Sequence, residues 1–176
     1  MKTTSSPSRA RAHILGALSL SALALCATAR AQTLDQEKLK LLSCNLPKTA
    51  PAESKQAHDW LRQIVKQSES GAVPGPFRLG QACLAKVKAT ASFGMLMVSG
   101  EICNPKTEEF SAALLAVGVK LEAKTIPGEP DALLTSRKGD YAFTVLNGPM
   151  DPDTMAVKRG AKPLSFLCMN KGPGLK

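Results

Sequence analysis

The stretch from Phe77 to Cys103 constrains this chain more than any other. From Cys83 onward, Cys83, Ala85, Val87, Ala89, Ala91 and Phe93 alternate with Leu84, Lys86, Lys88, Thr90 and Ser92. A strand turns successive side chains to opposite faces, so this run reads as a half-buried strand. Leu96, Val98, Gly100 and Ile102 alternate in the same way with Met97, Ser99 and Glu101. Folding the two strands together about Phe93-Gly94 sets Ala91 against Leu96, Ala89 against Val98, Val87 against Gly100 and Ala85 against Ile102. On the other face Thr90 meets Met97, Lys88 meets Ser99 and Lys86 meets Glu101. A slip of one residue would mismatch both faces, so a single register is expected. Glycine in second place suits a tight hairpin turn, whereas phenylalanine is a poor first residue; a four-residue loop from Ser92 to Met95 keeps the same register.

That register separates two cysteines. Cys83 falls on the inner face and Cys103 on the outer one, and side chains pointing apart cannot be bridged. Only a bulge at Gly100 would reverse the strand end. Beyond position 31 the chain holds Cys44, Cys83, Cys103 and Cys168. An even number suits two disulfides in an oxidising compartment, with three possible connectivities. The hairpin faces, and a helix covering the inner one, favour Cys44 with Cys83 and Cys103 with Cys168. No CxxC spacing occurs and His58 is the only histidine after position 31. Zinc binding and thiol exchange therefore have little support, and neither a metal nor a cofactor is implied.

The first 31 residues read as a secretory signal peptide. Lys2, Arg9 and Arg11 precede an apolar run from Ile14 to Ala27, and Ala29-Arg30-Ala31 has the small-x-small form of a cleavage site. The run falls short of the roughly 20 residues a membrane span requires, so no transmembrane segment is expected after cleavage. Leu25 before Cys26 argues against a lipid anchor. This segment carries four of the 23 basic residues and none of the 14 acids, which leaves 19 against 14, or +5, over the remaining 145 of 176 positions. That length suits one disulfide-stabilised domain over residues 32–176, periplasmic or secreted.

Thr33-Leu34-Asp35-Gln36 has the form of a capping box, and a short helix from Leu34 to Ser43 follows, ended by Asn45-Leu46-Pro47. Pro51 to Ser70 is the clearest helix, with Ala57, Trp60, Leu61, Ile64, Val65 and Ser68 at helical spacing. Its apolar stripe needs a partner, and the inner hairpin face is the simplest. Phe110 to Lys124 is ambiguous. Its first half has helical spacing, but Leu115, Val117, Val119 and Leu121 alternate, and the valines with an interior Gly118 favour a strand. Ala132–Ser136 and Tyr141–Leu146 form a second hairpin, Thr154–Val157 a brief strand and Leu164–Met169 a last one. The fold class is α+β: two N-terminal helices on a curved antiparallel sheet or partial barrel of about five or six strands.

Chemistry is harder to find. His58 and Asp59 are neighbours in sequence and do not face each other on a helix. Glu108 with Glu109, and Asp151 with Asp153, are carboxylate pairs in polar loops, where acids are ordinarily solvated; Asp140 with the latter two lacks the spacing of a calcium loop. No nucleophile elbow, zinc helix or phosphate loop occurs. Aromatics are too few for stacking on nucleic acid. Lys86 and Lys88, with Lys120 and Lys124 on a neighbouring strand and Arg137 and Lys138 in a turn, are candidates for one basic patch. The leading expectation is a noncatalytic binding module engaging an anionic envelope component or a protein partner, an inhibitor being one form. The alternatives are a small exported hydrolase using His58 or a carboxylate pair, and a structural subunit of an envelope assembly. A hydrolase predicts a deep pocket, and a subunit an exposed apolar patch or open sheet edge.

Overall fold

A computed structural model describes residues 32–46, 52–123, 130–151 and 154–171. The expected signal sequence, Lys124 and Asp153 lie outside these residues. Three helices, α1 (residues 32–42), α2 (Ala52–Ser68) and α3 (Thr107–Ala116), accompany six strands: β1 (Phe77–Leu79), β2 (Ala82–Ser92), β3 (Met95–Ile102), β4 (Ala132–Lys138), β5 (Tyr141–Leu146) and β6 (Leu164–Lys171). The strands form one open antiparallel sheet in the order β1-β2-β3-β6-β5-β4. The fold is α+β.

The outer half of the β2–β3 hairpin has the expected register: Ala91 opposite Leu96, Thr90 opposite Met97, Ala89 opposite Val98 and Lys88 opposite Ser99. The inner half does not. Ala85 opposes Glu101 and Leu84 opposes Ile102, so β2 carries one extra residue at Lys86-Val87. Lys86 adopts φ 48° there. The bulge lies on the strand opposite Gly100, not at Gly100 itself. Val73 and Pro74 follow it, with Val73 exchanging backbone hydrogen bonds with Val87 and Pro74 O accepting from Lys86 N–H. The Phe77–Cys103 stretch is also three strands rather than two, since Gly80 (φ +61°) turns β1 back onto β2.

One extra residue inverts the faces beyond it. Leu84 and Ala82 turn into the core, while Cys83 turns out beside Cys103, whose N–H donates to Cys83 O at 2.9 Å. Both expected disulfides are therefore corrected. Cys83 pairs with Cys103, Cα atoms 5.0 Å apart, and Cys44 pairs with Cys168 at 5.9 Å. The second bond joins the end of α1 to the inner face of β6.

The core lies between the helices and the inner face. α2 buries Ala57, Leu61, Ile64 and Ser68, as its spacing predicts, and α1 contributes Leu39, Leu41 and Leu42. Ser68 Oγ accepts from Ala89 N–H at 3.0 Å and donates to Ile64 O at 2.8 Å, tying the last turn of α2 to β2. The helix reaches no further, so Ala91 and Phe93 are exposed, not buried beneath it.

The strand expected over Phe110–Lys124 is a helix in its first half. Glu108 and Glu109 occupy the first turn of α3, and Phe110, Ala113 and Leu114 are buried. Gly118 (φ +85°) terminates the helix rather than interrupting a strand. Its N–H donates to Leu115 O, and Val119 N–H donates to Leu114 O, the paired bonds of a Schellman cap. Phe110 then packs on Phe143 and Phe166, whose rings stack 5.6 Å apart.

Candidate functional site

The five candidate basic residues that fall among the described residues do not converge. Lys86 Nζ donates to Glu101 Oε1 at 2.9 Å across the outer face, and Lys120 pairs with Glu122 at 3.0 Å. Lys88 stands on the outer face of β2, opposite Ser99. Arg137 and Lys138 end β4, at the far edge of the sheet. Three strands lie between β2 and β4, a separation of roughly 19 Å at ordinary strand spacing. Exposed charges so far apart are screened from one another in physiological salt.

The catalytic candidates are dispersed as well. His58 is half-buried on α2, and its neighbour Asp59 pairs with Arg62 at 3.1 Å. Glu108 and Glu109 are exposed and complement the positive end of α3. Asp151 Oδ1 accepts from Thr154 N–H at 2.9 Å and shapes the loop before β6. Among the described residues no three of His, Cys, Asp and Glu gather as a metal site.

What the outer face presents instead is an apolar centre, Met97, Met169, Leu167 and Ala142, flanked by polar residues. Cross-strand register places Thr90, Met97, Met169, Ala142 and Arg137 in one row across β2, β3, β6, β5 and β4. Lys88, Ser99, Leu167, Thr144 and Thr135 form the row beside it. Met150, Met155 and Val157, from the segments either side of positions 152–153, lie over the second half of this face. Met150 N–H donates to Ser165 Oγ at 2.8 Å, and Met150 bridges to Val157. Between these segments and the sheet lies a cavity of about 400 Å³, walled by Leu146, Leu167, Met150, Met155 and Met169, with Asp131 and Arg137 among its lining. Asp131 also pairs with Arg159.

The hairpin tip is the second feature. Phe93 (φ 50°) and Gly94 (φ 73°) are both left-handed, as a two-residue type I′ turn requires. A phenylalanine held there costs about 1–2 kcal/mol of backbone strain. Its ring, moreover, is fully exposed. Asparagine would relieve both costs, so nothing among the described residues accounts for the phenylalanine. The sequence signal was present: an aromatic at a turn position that disfavours it.

No helix among the described residues is long and apolar enough to cross a membrane. No family model, curated protein or solved structure matches this chain.

Proposed function

We propose that this chain works outside the cytoplasm as a noncatalytic binding module, and that it engages a protein partner through the tip of the β2–β3 hairpin. The observation that carries the reading is Phe93, a fully exposed aromatic held in a left-handed conformation. Backbone strain kept at a solvent-exposed position points to a task outside the chain's own stability. An aromatic at the end of a stiff hairpin is also the kind of anchor that dominates protein interfaces once it enters a partner's pocket. The uncovered backbone from Ala91 to Gly94 lets the tip reach into a cleft, as an inhibitor's loop would. Two disulfides, one of them at the base of this hairpin, suit an oxidising compartment and a rigid recognition element. An anionic partner has less support, because Lys86 and Lys120 already face carboxylates and the arginine-lysine pair lies at the opposite edge.

The test is capture from an envelope extract with the oxidised protein, compared with Phe93→Asn. Asn-Gly is the preferred pair for this turn, so the variant should fold as well as the parent or better. The expected result is a captured protein that persists at high salt and is lost with Phe93→Asn, because apolar contacts are not screened. Capture unchanged by the substitution would sink the tip as the binding element. A hydrolytic activity abolished by His58→Ala in folded protein would overturn the noncatalytic reading.

A further inference from the structure

The chain has six methionines, and the five after Met1 all lie on the outer side of the sheet. Met95 and Met97 point outward from β3 between the inward Leu96 and Val98, and Met169 points outward from β6 beside the inward Cys168. Met150 and Met155 belong to the segments that lie over the same face and line its cavity together with Met169. No methionine is among the buried core residues, which are leucine, valine, isoleucine, phenylalanine, alanine and disulfide cysteine. Flexible methionine ordinarily serves to fill gaps in a core. Here four of the five are between 37 and 41 % exposed, so that role does not account for them.

Their placement is specific as well as exposed. Met169 sits at the centre, with Met97 directly opposite it on β3 and the small Ala142 opposite it on β5. Ala142 leaves room above the sheet, and Met150 and Met155 close over that room from the loop. Met155 has φ 60°, a left-handed conformation in which an unbranched apolar residue has no intrinsic advantage. Its N–H donates to Asp151 O at 2.8 Å, so the loop holds it in place.

We infer that Met150, Met155 and Met169 form a thioether site for a soft monovalent cation, copper(I) being the biological member of that class. Neutral sulfur donors select copper(I) over calcium, magnesium or manganese, which require oxygen cages. The charged groups of the cavity lining are one carboxylate, Asp131, which pairs with Arg159, and one guanidinium, Arg137, so the cavity supplies no free anionic oxygen cage and any cation held there depends on the thioether sulfurs. Thioethers carry no proton, so binding stays constant between about pH 5 and 8, where a site with histidine ligands would weaken as the imidazole takes up a proton. This site does not depend on the hairpin tip: Phe93→Asn leaves it intact, and failure of partner capture does not bear on it.

Silver(I) is the redox-inert probe. The protein, with both disulfides formed and Cys26→Ser so that no free thiol competes, is labelled on its methionine methyl groups and titrated with silver nitrate by NMR. The methyl signals of Met150, Met155 and Met169 should move together and saturate at one equivalent, while Met95 stays still. Met169→Leu preserves volume and should weaken binding by about tenfold or more, because leucine offers no donor. Met155→Leu, on the exposed loop, gives a second variant should the strand substitution disturb folding. Shifts that never saturate, affinity unchanged in both leucine variants, or loss of binding as pH falls toward 5 would each overturn the assignment.

Discussion

Gly100 shows how much one missing side chain carries. A Cβ there would lie 2.9 Å from the Phe166 ring and 3.0 Å from Ala85 O. The glycine therefore admits both the core ring of β6 and the bulged backbone of β2. Gly100→Ala is expected to destabilise the fold by about 1–3 kcal/mol, the usual cost of overpacking, read from the denaturant midpoint. Wild-type stability in that variant would mean the ring moves aside freely. Tyr141 is the converse case. Its hydroxyl is buried without a hydrogen-bond partner among the described residues, and burial pushes its phenol above the usual tyrosine range. Below about pH 10 the phenol is protonated in both folded and unfolded chains and contributes no pH dependence. At higher pH the unfolded chain ionises first, so the native state binds more protons and stability falls as pH rises. Tyr141→Phe should be neutral or stabilising by up to about 1 kcal/mol at pH 7. It should also flatten the alkaline loss of stability relative to the parent. Parallel curves for the two proteins would exclude that residue as the cause.

At the scale of elements, the bulge decides more than its size suggests. The alternation of β2 is legible on the page, and four of the cross-strand pairs it implies are present. The extra residue at Lys86-Val87 is not legible, because its backbone hydrogen bonds come from Val73 and Pro74 in the preceding connector. The same holds for α3. The first half of that segment carried its helical spacing openly, but Gly118 counts against a helix only if it lies inside one. As the residue after the C-cap it is what ends the helix, and Val119, buried with Leu114, completes the cap. The two disulfides make an element-scale test. Cys44–Cys168 spans 124 positions and Cys83–Cys103 spans 20. Chain-entropy estimates put the former at roughly 5 kcal/mol and the latter at roughly 3 kcal/mol. Paired alanine variants should preserve that order in chemical denaturation. A greater loss from Cys83→Ala with Cys103→Ala would show that the staple supports the bulge and not merely the unfolded chain's entropy.

Taken as a whole, the molecule divides its apolar side chains by kind. Most of the buried leucine, valine, isoleucine and phenylalanine lie on the helix side of the sheet, and the methionines after Met1 lie on the other, where Leu146 and Leu167 join them. The basic residues, read as one patch, are instead spread from β2 to β4 and beyond the strands at Lys120, which is why the proposed partner capture should survive high salt. Phe93 was legible in the sequence only as an ill-suited turn residue, and the methionine trio did not emerge at all, since each methionine is ordinary until its exposure and its neighbours are known. Sequence alone determined the local matters: the hairpin with its turn, the apolar stripe of α2, the second hairpin and the α+β class. Those follow from periodicity, which backbone geometry imposes within a few residues. Only the tertiary structure decided the bulge, the cysteine partners, the end of α3 and the gathering of Met150, Met155 and Met169. Each depends on which distant segments meet, and in a strand a single inserted residue reverses which face every later side chain occupies.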